Sequence, residues 1–301
     1  MKLGYICTNF NNAGYTSKAV NSLLANQGHE IAIVVVDNRS KPEDVQQLRD
    51  IAARHTAVRL VLLDQNVGYF AGLNAGIRYL RTNFPEVKHM LVGNNDLVFG
   101  PQFVDSIVQK LPLLEQYPVV APDIVTLDGM HLNPHVIAGT SWRRELLYDL
   151  YFAHYTLAAV MTKVARYTQR ITARADLEQW RTPAVVCEGN GSCYILGPLF
   201  FAHFSELWAP TFLFGEEFFL GRQVSERGMA VYYEPTISIQ HYCNASIGQL
   251  PRKAAWEHAR KAHRVYRQYV RIFGAPRGGR ANRNPDRTKD FDRQLGSPKC
   301  L

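Results

Sequence analysis

A chain of 301 residues with 47 % apolar and 20 % charged content reads as a folded soluble protein with one substantial core and room for a small appended lobe. Its longest fully apolar run, Ile31 to Val36, falls far short of the roughly 20 residues that cross a bilayer, and polar residues arrive too early in Met1–Asn9 for a secretory leader, so neither a spanning helix nor export is expected. The net charge of +8 is concentrated, because residues 252–301 hold 14 Lys/Arg against 4 Asp/Glu while the remainder holds 20 against 22.

In chain order, Lys2 to Thr8 reads as a first strand running into the polar loop Asn9-Phe10-Asn11-Asn12. A helix follows with Val20, Leu23 and Leu24 on one face and Gly28 near its end. Ile31 to Val36, largely β-branched, predicts a strand covered on both faces in a parallel sheet. Pro42 fits the first turn of a second helix through Leu48 and Ile51. Val58 to Leu63 is a third strand, and residues 69–83 form a helix in which Ala71, Gly72, Ala75 and Gly76 leave space for a close approach. Lys88 to Val92 is a fourth strand, followed by Gly93-Asn94-Asn95-Asp96.

That alternation predicts an α/β fold with a doubly wound sheet, in which ligands bind at the carboxyl ends of strands. The clusters Thr8-Asn9, Asp37-Asn38, Asp64 to Asn66 and Asn94 to Asp96 all fall there. Any one of them is an ordinary turn; four on one edge describe a pocket.

Past Pro122 the pattern changes. Residues 144–170 predict one long amphipathic helix or two shorter ones, read as an insertion. Ala184 to Leu196 is strand-like, a helix is expected near Leu199 to Leu207, and strands near 230–233 and 236–240 lead to His241. Between them lies Gly215-Glu216-Glu217, set among Phe212, Phe214, Phe218 and Phe219, an apolar wall that makes an idle charge expensive. Trp256 to Phe273 is a basic helix, and little order is expected over 275–301. The five cysteines, Cys7, Cys187, Cys193, Cys243 and Cys300, have no CxxC spacing, which argues against a disulfide framework and a zinc site and for a reducing, cytoplasmic setting.

Two acids invite chemistry from position alone. Asp37, ending a strand, is placed to accept from a base N–H or a ribose hydroxyl. Asp96 is placed to hold a divalent cation against a diphosphate, since hard oxygen ligands suit Mg²⁺ or Mn²⁺ and such ions use few protein ligands beside the substrate's phosphates.

The ordered set Val35-Val36-Asp37-Asn38-Arg39-Ser40, then Asn66-Val67-Gly68-Tyr69-Phe70-Ala71-Gly72-Leu73-Asn74-Ala75-Gly76, then Asn94-Asn95-Asp96 resembles the donor-site motifs of family 2 glycosyltransferases. Phe212 to Glu217, Arg222, Gly228, Tyr233-Glu234-Pro235 and His241 are similar to the acceptor half of the bacterial polysaccharide and rhamnosyltransferase-like members. The resemblance covers roughly 1–246, with a donor half 1–122 and an acceptor half 123–246, and leaves the insertion and the basic end (247–274) outside it. It implies a GT-A fold, a nucleotide-sugar site at Thr8, Asn9, Asp37, Asn38, Asn66, Gly68, Asn74, Asn94 and Asn95, and a divalent metal on Asp96 and His241. Asn94 occupies the first acidic position of the metal motif, so low metal affinity without donor is expected. The resemblance puts the catalytic base at Glu217 and leaves Glu216 to fix the loop or contact the sugar.

The implied reaction is a single displacement with inversion, from a UDP- or dTDP-sugar to a glycan or lipid-linked glycan acceptor in cell-surface polysaccharide synthesis. In the basic helix, Trp256, Ala259, His263, Tyr266 and Val270 share one side, a pattern that suits the interface of an anionic membrane on the inner face of the cell. The alternatives are a nucleotide-sugar sensor without turnover and nucleic-acid binding through the basic end, which carries no recognisable module.

Overall fold

The computed structural model describes residues 1–137, 141–167, 179–242 and 252–270. Strand and helix alternate as the periodicity predicts: β1 (Lys2–Asn9), α1 (Ala13–Leu24), β2 (Glu30–Asp37), α2 (Pro42–Arg54), β3 (Val58–Leu62), α3 (Tyr69–Asn83) and β4 (His89–Asn94). Side chains of a strand alternate between faces, so Ile33 and Val35 of β2 enter a core shared with α1 and α2, while Val34 and Val36 enter a second core beneath α3. The small residues of α3 are needed where it settles onto β1. A Cβ at Gly76 would lie 2.3 Å from Ile6, and one at Gly72 would lie 2.8 Å from Thr8.

The chain continues through β5 (Leu97–Phe99), α4 (Phe103–Leu114), β6 (Val119–Thr126), α5 (Trp142–Ala153), α6 (Tyr155–Tyr167), β7 (Ala184–Val186), β8 (Cys193–Leu196), α7 (Pro198–His203), α8 (Glu216–Ser225), β9 (Val231–His241) and α9 (Arg252–Tyr266). One sheet runs β3-β2-β1-β4-β8-β6-β9-β5, with β7 also paired to β9. β3, β2, β1 and β4 are mutually parallel, β8 runs against its neighbours β4 and β6, and β6 lies parallel to β9. The result is the expected doubly wound, mostly parallel sheet with helices on both faces.

Several expectations for the second half change. The strand expected over 184–196 is two strands, because Cys187 to Ser192 leaves the ladder as a loop. The two strands expected over 230–240 are one, carried past Pro235 by a register shift against β6 at Pro122/Asp123. Of the two forms expected for the insertion the structure has the two shorter helices, broken where His154 turns extended. Cys187 is disulfide-bonded, against the expectation that no disulfide framework is present, and its partner lies outside the described residues.

The membrane-facing side expected of the basic helix is turned inward. Trp256 Nε1 donates to the Tyr151 carbonyl at 3.3 Å, His263 meets Asp149 at 2.7 Å, and Arg267 pairs with Glu145 at 3.1 Å. The acids of α5 thus give this side polar partners within the fold. His258 stacks on Phe212 and Tyr266 packs edge-on against Phe218, so α9 ties α5 to the segment preceding and opening α8. Residues 247–251, 271–274 and the tail 275–301 lie outside the described residues. No helix among the described residues is long and apolar enough to cross a membrane.

Candidate active site

Register assembles the site's first wall. Thr8 pairs with Val36 on one side and Asn94 on the other, and Asn9 pairs with Asp37, so the polar ends of β1, β2 and β4 finish level. Several of the predicted ligand contacts are consumed in holding this edge together, since buried polar groups require partners. Asn9 is fully buried: its amide donates to Asp37 at 3.0 Å and Asp44 at 2.7 Å, and its carbonyl accepts from Thr16 and Asn95. Asn95 is the second hub, donating to Asn12 and Thr16 at 2.7 Å each. Asn38 donates to the Gly68 carbonyl at 3.0 Å. Asn74 clamps Leu207 in both directions, at 2.8 and 2.9 Å. In this structure these four side chains are engaged as braces within the protein. Asp37 is 1 % exposed, its oxygens accepting from Asn9 and from the Ser40 N–H.

Thr8, Asn66 and Asn94 retain exposed surface at this edge. Asn66 accepts from the Gly68 N–H at 3.0 Å, a local turn. Gly68 holds φ at +92°, and a Cβ there would lie 2.1 Å from the Phe212 carbonyl oxygen, which itself accepts from the Tyr69 N–H at 3.0 Å. The donor-side loop and the segment leading to Glu216 are therefore in backbone contact.

The second wall is brought in from the far end of the chain. Pairing of Leu97 with His241 sets the last residue of β9 beside Asp96, and His241 Nε2 lies 2.9 Å from Asp96 Oδ1. Asn94 Nδ2 abuts the same nitrogen at 3.2 Å, and Ser192 Oγ lies 3.4 Å from His241 Nδ1. Ser192 is placed by its carbonyl, which accepts from the Asn94 N–H at 2.8 Å. One residue earlier, Gly191 donates its N–H to Glu217 Oε1 at 3.1 Å, and its carbonyl accepts from the Tyr69 hydroxyl at 2.8 Å. Asp96, His241 and Glu217 thus lie around one turn, Gly191-Ser192.

The glutamates differ although adjacent. Phe214 and Gly215 both adopt the left-handed conformation, and α8 starts at Glu216. Glu216 is 6 % exposed, and its Oε1 has no hydrogen-bond partner among the described residues. Burial, then the charge of Glu217, pushes its carboxyl up to about 8. Glu217 is half-buried and reachable. Burial also drives the Tyr69 hydroxyl well upward, with the charges of Glu216, Glu217 and Asp96 adding to the effect.

A divalent cation fits the Asp96–His241 pair. Its carboxylate oxygen and imidazole nitrogen, hydrogen-bonded to each other at 2.9 Å, are donor types that such an ion accepts. Among the described residues no group of three His, Cys, Asp or Glu side chains surrounds a common point, so such an ion would rest on this pair and on oxygens of its substrate.

Sequence reasoning missed Gly191 and Ser192, and it placed Tyr69 in a donor motif without its contact to Gly191. A glycine and a serine in a loop carry no distinguishing signal, and their place emerges only when β8 docks on β4. Arg222 pairs with Glu226 at 2.8 Å along α8, and Trp208 packs edge-on against Phe219 and Tyr269.

A doubly wound sheet whose carboxyl edge gathers these residues has the architecture of GT-A glycosyltransferases. The chain belongs to glycosyltransferase family 2: the family profile described as Glycosyl transferase family 2 matches residues 6–163. Among solved structures, the mannosyltransferase PcManGT from Pyrobaculum calidifontis, in complex with GDP-Man and Mn²⁺, aligns with TM-score 0.52 at 12 % identity, covering 91 % of this chain and 65 % of that one. GalNAc-T7 with UDP, GalNAc and Mn²⁺ aligns with TM-score 0.52 at 12 % identity over 83 % and 45 %. TarS 1–349 of S. aureus aligns with TM-score 0.47 at 12 % identity over 80 % and 60 %. The chain therefore spans about half to two-thirds of the length of the structures it matches. No curated protein matches it in sequence.

Proposed function

We propose that the protein is an inverting glycosyltransferase that moves a hexosyl or deoxyhexosyl unit from a UDP- or dTDP-sugar to a glycan or lipid-linked glycan acceptor in cell-surface polysaccharide synthesis. The observation that carries this reading is the single turn Gly191-Ser192, which touches Glu217 on one side and His241 on the other. A base and a diphosphate-holding pair are what one displacement at an anomeric carbon needs side by side.

Glu217 takes the proton of the acceptor hydroxyl. The acceptor oxygen forms a bond to the anomeric carbon as the bond from that carbon to the diphosphate oxygen breaks, leaving the nucleoside diphosphate and an inverted glycoside. The Gly191 N–H orients the Glu217 carboxylate, and the Tyr69 hydroxyl fixes the Gly191 peptide from its other end. Glu216, protonated near neutrality, places no second negative charge beside the attacking oxygen. Asp96 and His241 would hold Mg²⁺ or Mn²⁺, which when bound neutralises the charge developing on the leaving diphosphate. The Mn²⁺ named with GalNAc-T7 and with the mannosyltransferase supports that assignment, and their UDP and GDP-Man support a nucleotide-sugar donor. Donor contacts fall to Thr8, Asn94 and the loop Asn66 to Gly68.

Thermal-shift screening of UDP- and dTDP-sugars with Mn²⁺ or Mg²⁺, followed by NMR of the glycoside product, tests the reading. A metal-dependent rise with one donor and an inverted anomeric centre is expected. Absence of stabilisation by any nucleotide sugar, or a product of retained configuration, overturns it.

A further inference from the structure

Turning α9 inward leaves another surface unaccounted for. On α5, Trp142, Leu146 and Leu150 recur at four-residue intervals and stand 46 to 53 % exposed, with Leu147 beside them at 54 %. On α6, which packs against α5, Val160 and Val164 are 58 % and 55 % exposed. Scattered apolar residues on a surface need no explanation, but a stripe repeated on two adjoining helices does.

Charge selects the occupant. Glu145 and Asp149 are the only acids of α5 and α6, and both are engaged by Arg267, at 3.1 and 2.5 Å. The outward positions carry Arg143, Arg144 and Lys163, all exposed. Arg143 lies over the Trp142 ring and Arg144 over Tyr148, so their stems follow apolar surface while the cations reach outward. A second copy would bring this face against itself, cation against cation with no acid of α5 or α6 left to answer. An anionic lipid surface satisfies both halves of the pattern, with acyl chains for the leucines and tryptophan and headgroups for the cations.

We propose that the outward faces of α5 and α6 form a docking surface for an anionic phospholipid bilayer, with Trp142, Leu146 and Leu147 entering the interface. The attachment is peripheral, since no described helix is long and apolar enough to span. The inference stands on exposure and charge alone and does not require the transferase reading.

The full chain is pelleted with vesicles of phosphatidylcholine and of phosphatidylcholine mixed with phosphatidylglycerol. Binding to the mixed vesicles only is expected, weakened about tenfold or more in a Leu146→Ser/Leu147→Ser variant. As a second reading that leaves the leucines in place, lipids brominated on their acyl chains quench tryptophan fluorescence in the wild type, and Trp142→Phe removes that quenching. The proposal is overturned if the wild type ignores both vesicle types or if the double variant pellets as well as the wild type, which would assign attachment to the C-terminal cations. Unquenched fluorescence overturns it too, as does a concentration-dependent dimer that the double variant abolishes.

Discussion

Replacing Glu216 with Gln converts the pH dependence of folding into a test of the site's electrostatics. In the folded chain burial and Glu217 raise the Glu216 carboxyl from its ordinary 4.5 to about 8. Between those values the folded state holds a proton that the unfolded chain releases, so the group's stability contribution is full below 4.5 and is lost as pH rises through 8. Each pH unit of that span is worth about 1.4 kcal/mol, and the accumulated loss at pH 7 is about 3 kcal/mol. Glutamine imitates the protonated acid in shape and does not titrate. Urea unfolding of wild type and Glu216→Gln at intervals from pH 5 to 8.5 isolates Glu216 and its interaction with Glu217, because titrating groups remote from this pair cancel in the difference. The variant is expected to gain steadily on the wild type, by about 2–3 kcal/mol between pH 5 and pH 7. A difference that stays flat across the range refutes the claim that this carboxyl is protonated in the folded protein near neutrality.

Three further outcomes follow from the site. Glu217→Gln is expected to lower turnover by about 10²–10⁴-fold while donor affinity stays within about threefold, measured by product formation and by calorimetry; an active variant removes the base from the scheme. Gly68→Ala forces a Cβ toward the Phe212 carbonyl at an unfavourable φ and is expected to destabilise by about 2–4 kcal/mol; an unchanged urea midpoint argues against the contact. Asn74→Ala strands the Leu207 N–H and C=O and should cost about 2–4 kcal/mol with donor affinity unchanged. The reverse result would restore Asn74 to the nucleotide site.

The parallel half of the fold was legible because its signals are local. A β-branched run between polar loops, a proline at a helix start and paired glycines facing β1 each report on their own neighbourhood. The motifs around Asp37, Gly68, Asp96 and Glu217 were legible as a set, and the structure brings Asp96, His241 and Glu217 to one turn. The division of labour among the asparagines was not. Asn9, Asn38 and Asn95 share composition and strand-end position with Asn94, Asn74 sits within α3 in the same run of motifs, and only burial separates the braces from the more open Asn94. The basic helix misled for a related reason: an amphipathic pattern states that one side is covered without stating by what, and the acids that cover it stand more than a hundred residues earlier, at Glu145 and Asp149.

The pairing of β5 with β9 has a consequence for how the protein matures. Leu97 meets His241 only when the final strand of the sheet docks, so Asp96 is without its imidazole neighbour through most of synthesis. On the proposed reading, a polypeptide that stops short of that strand would present half of the cation pair, so turnover would wait on the docking of β9, the strand acting as its own certificate of assembly.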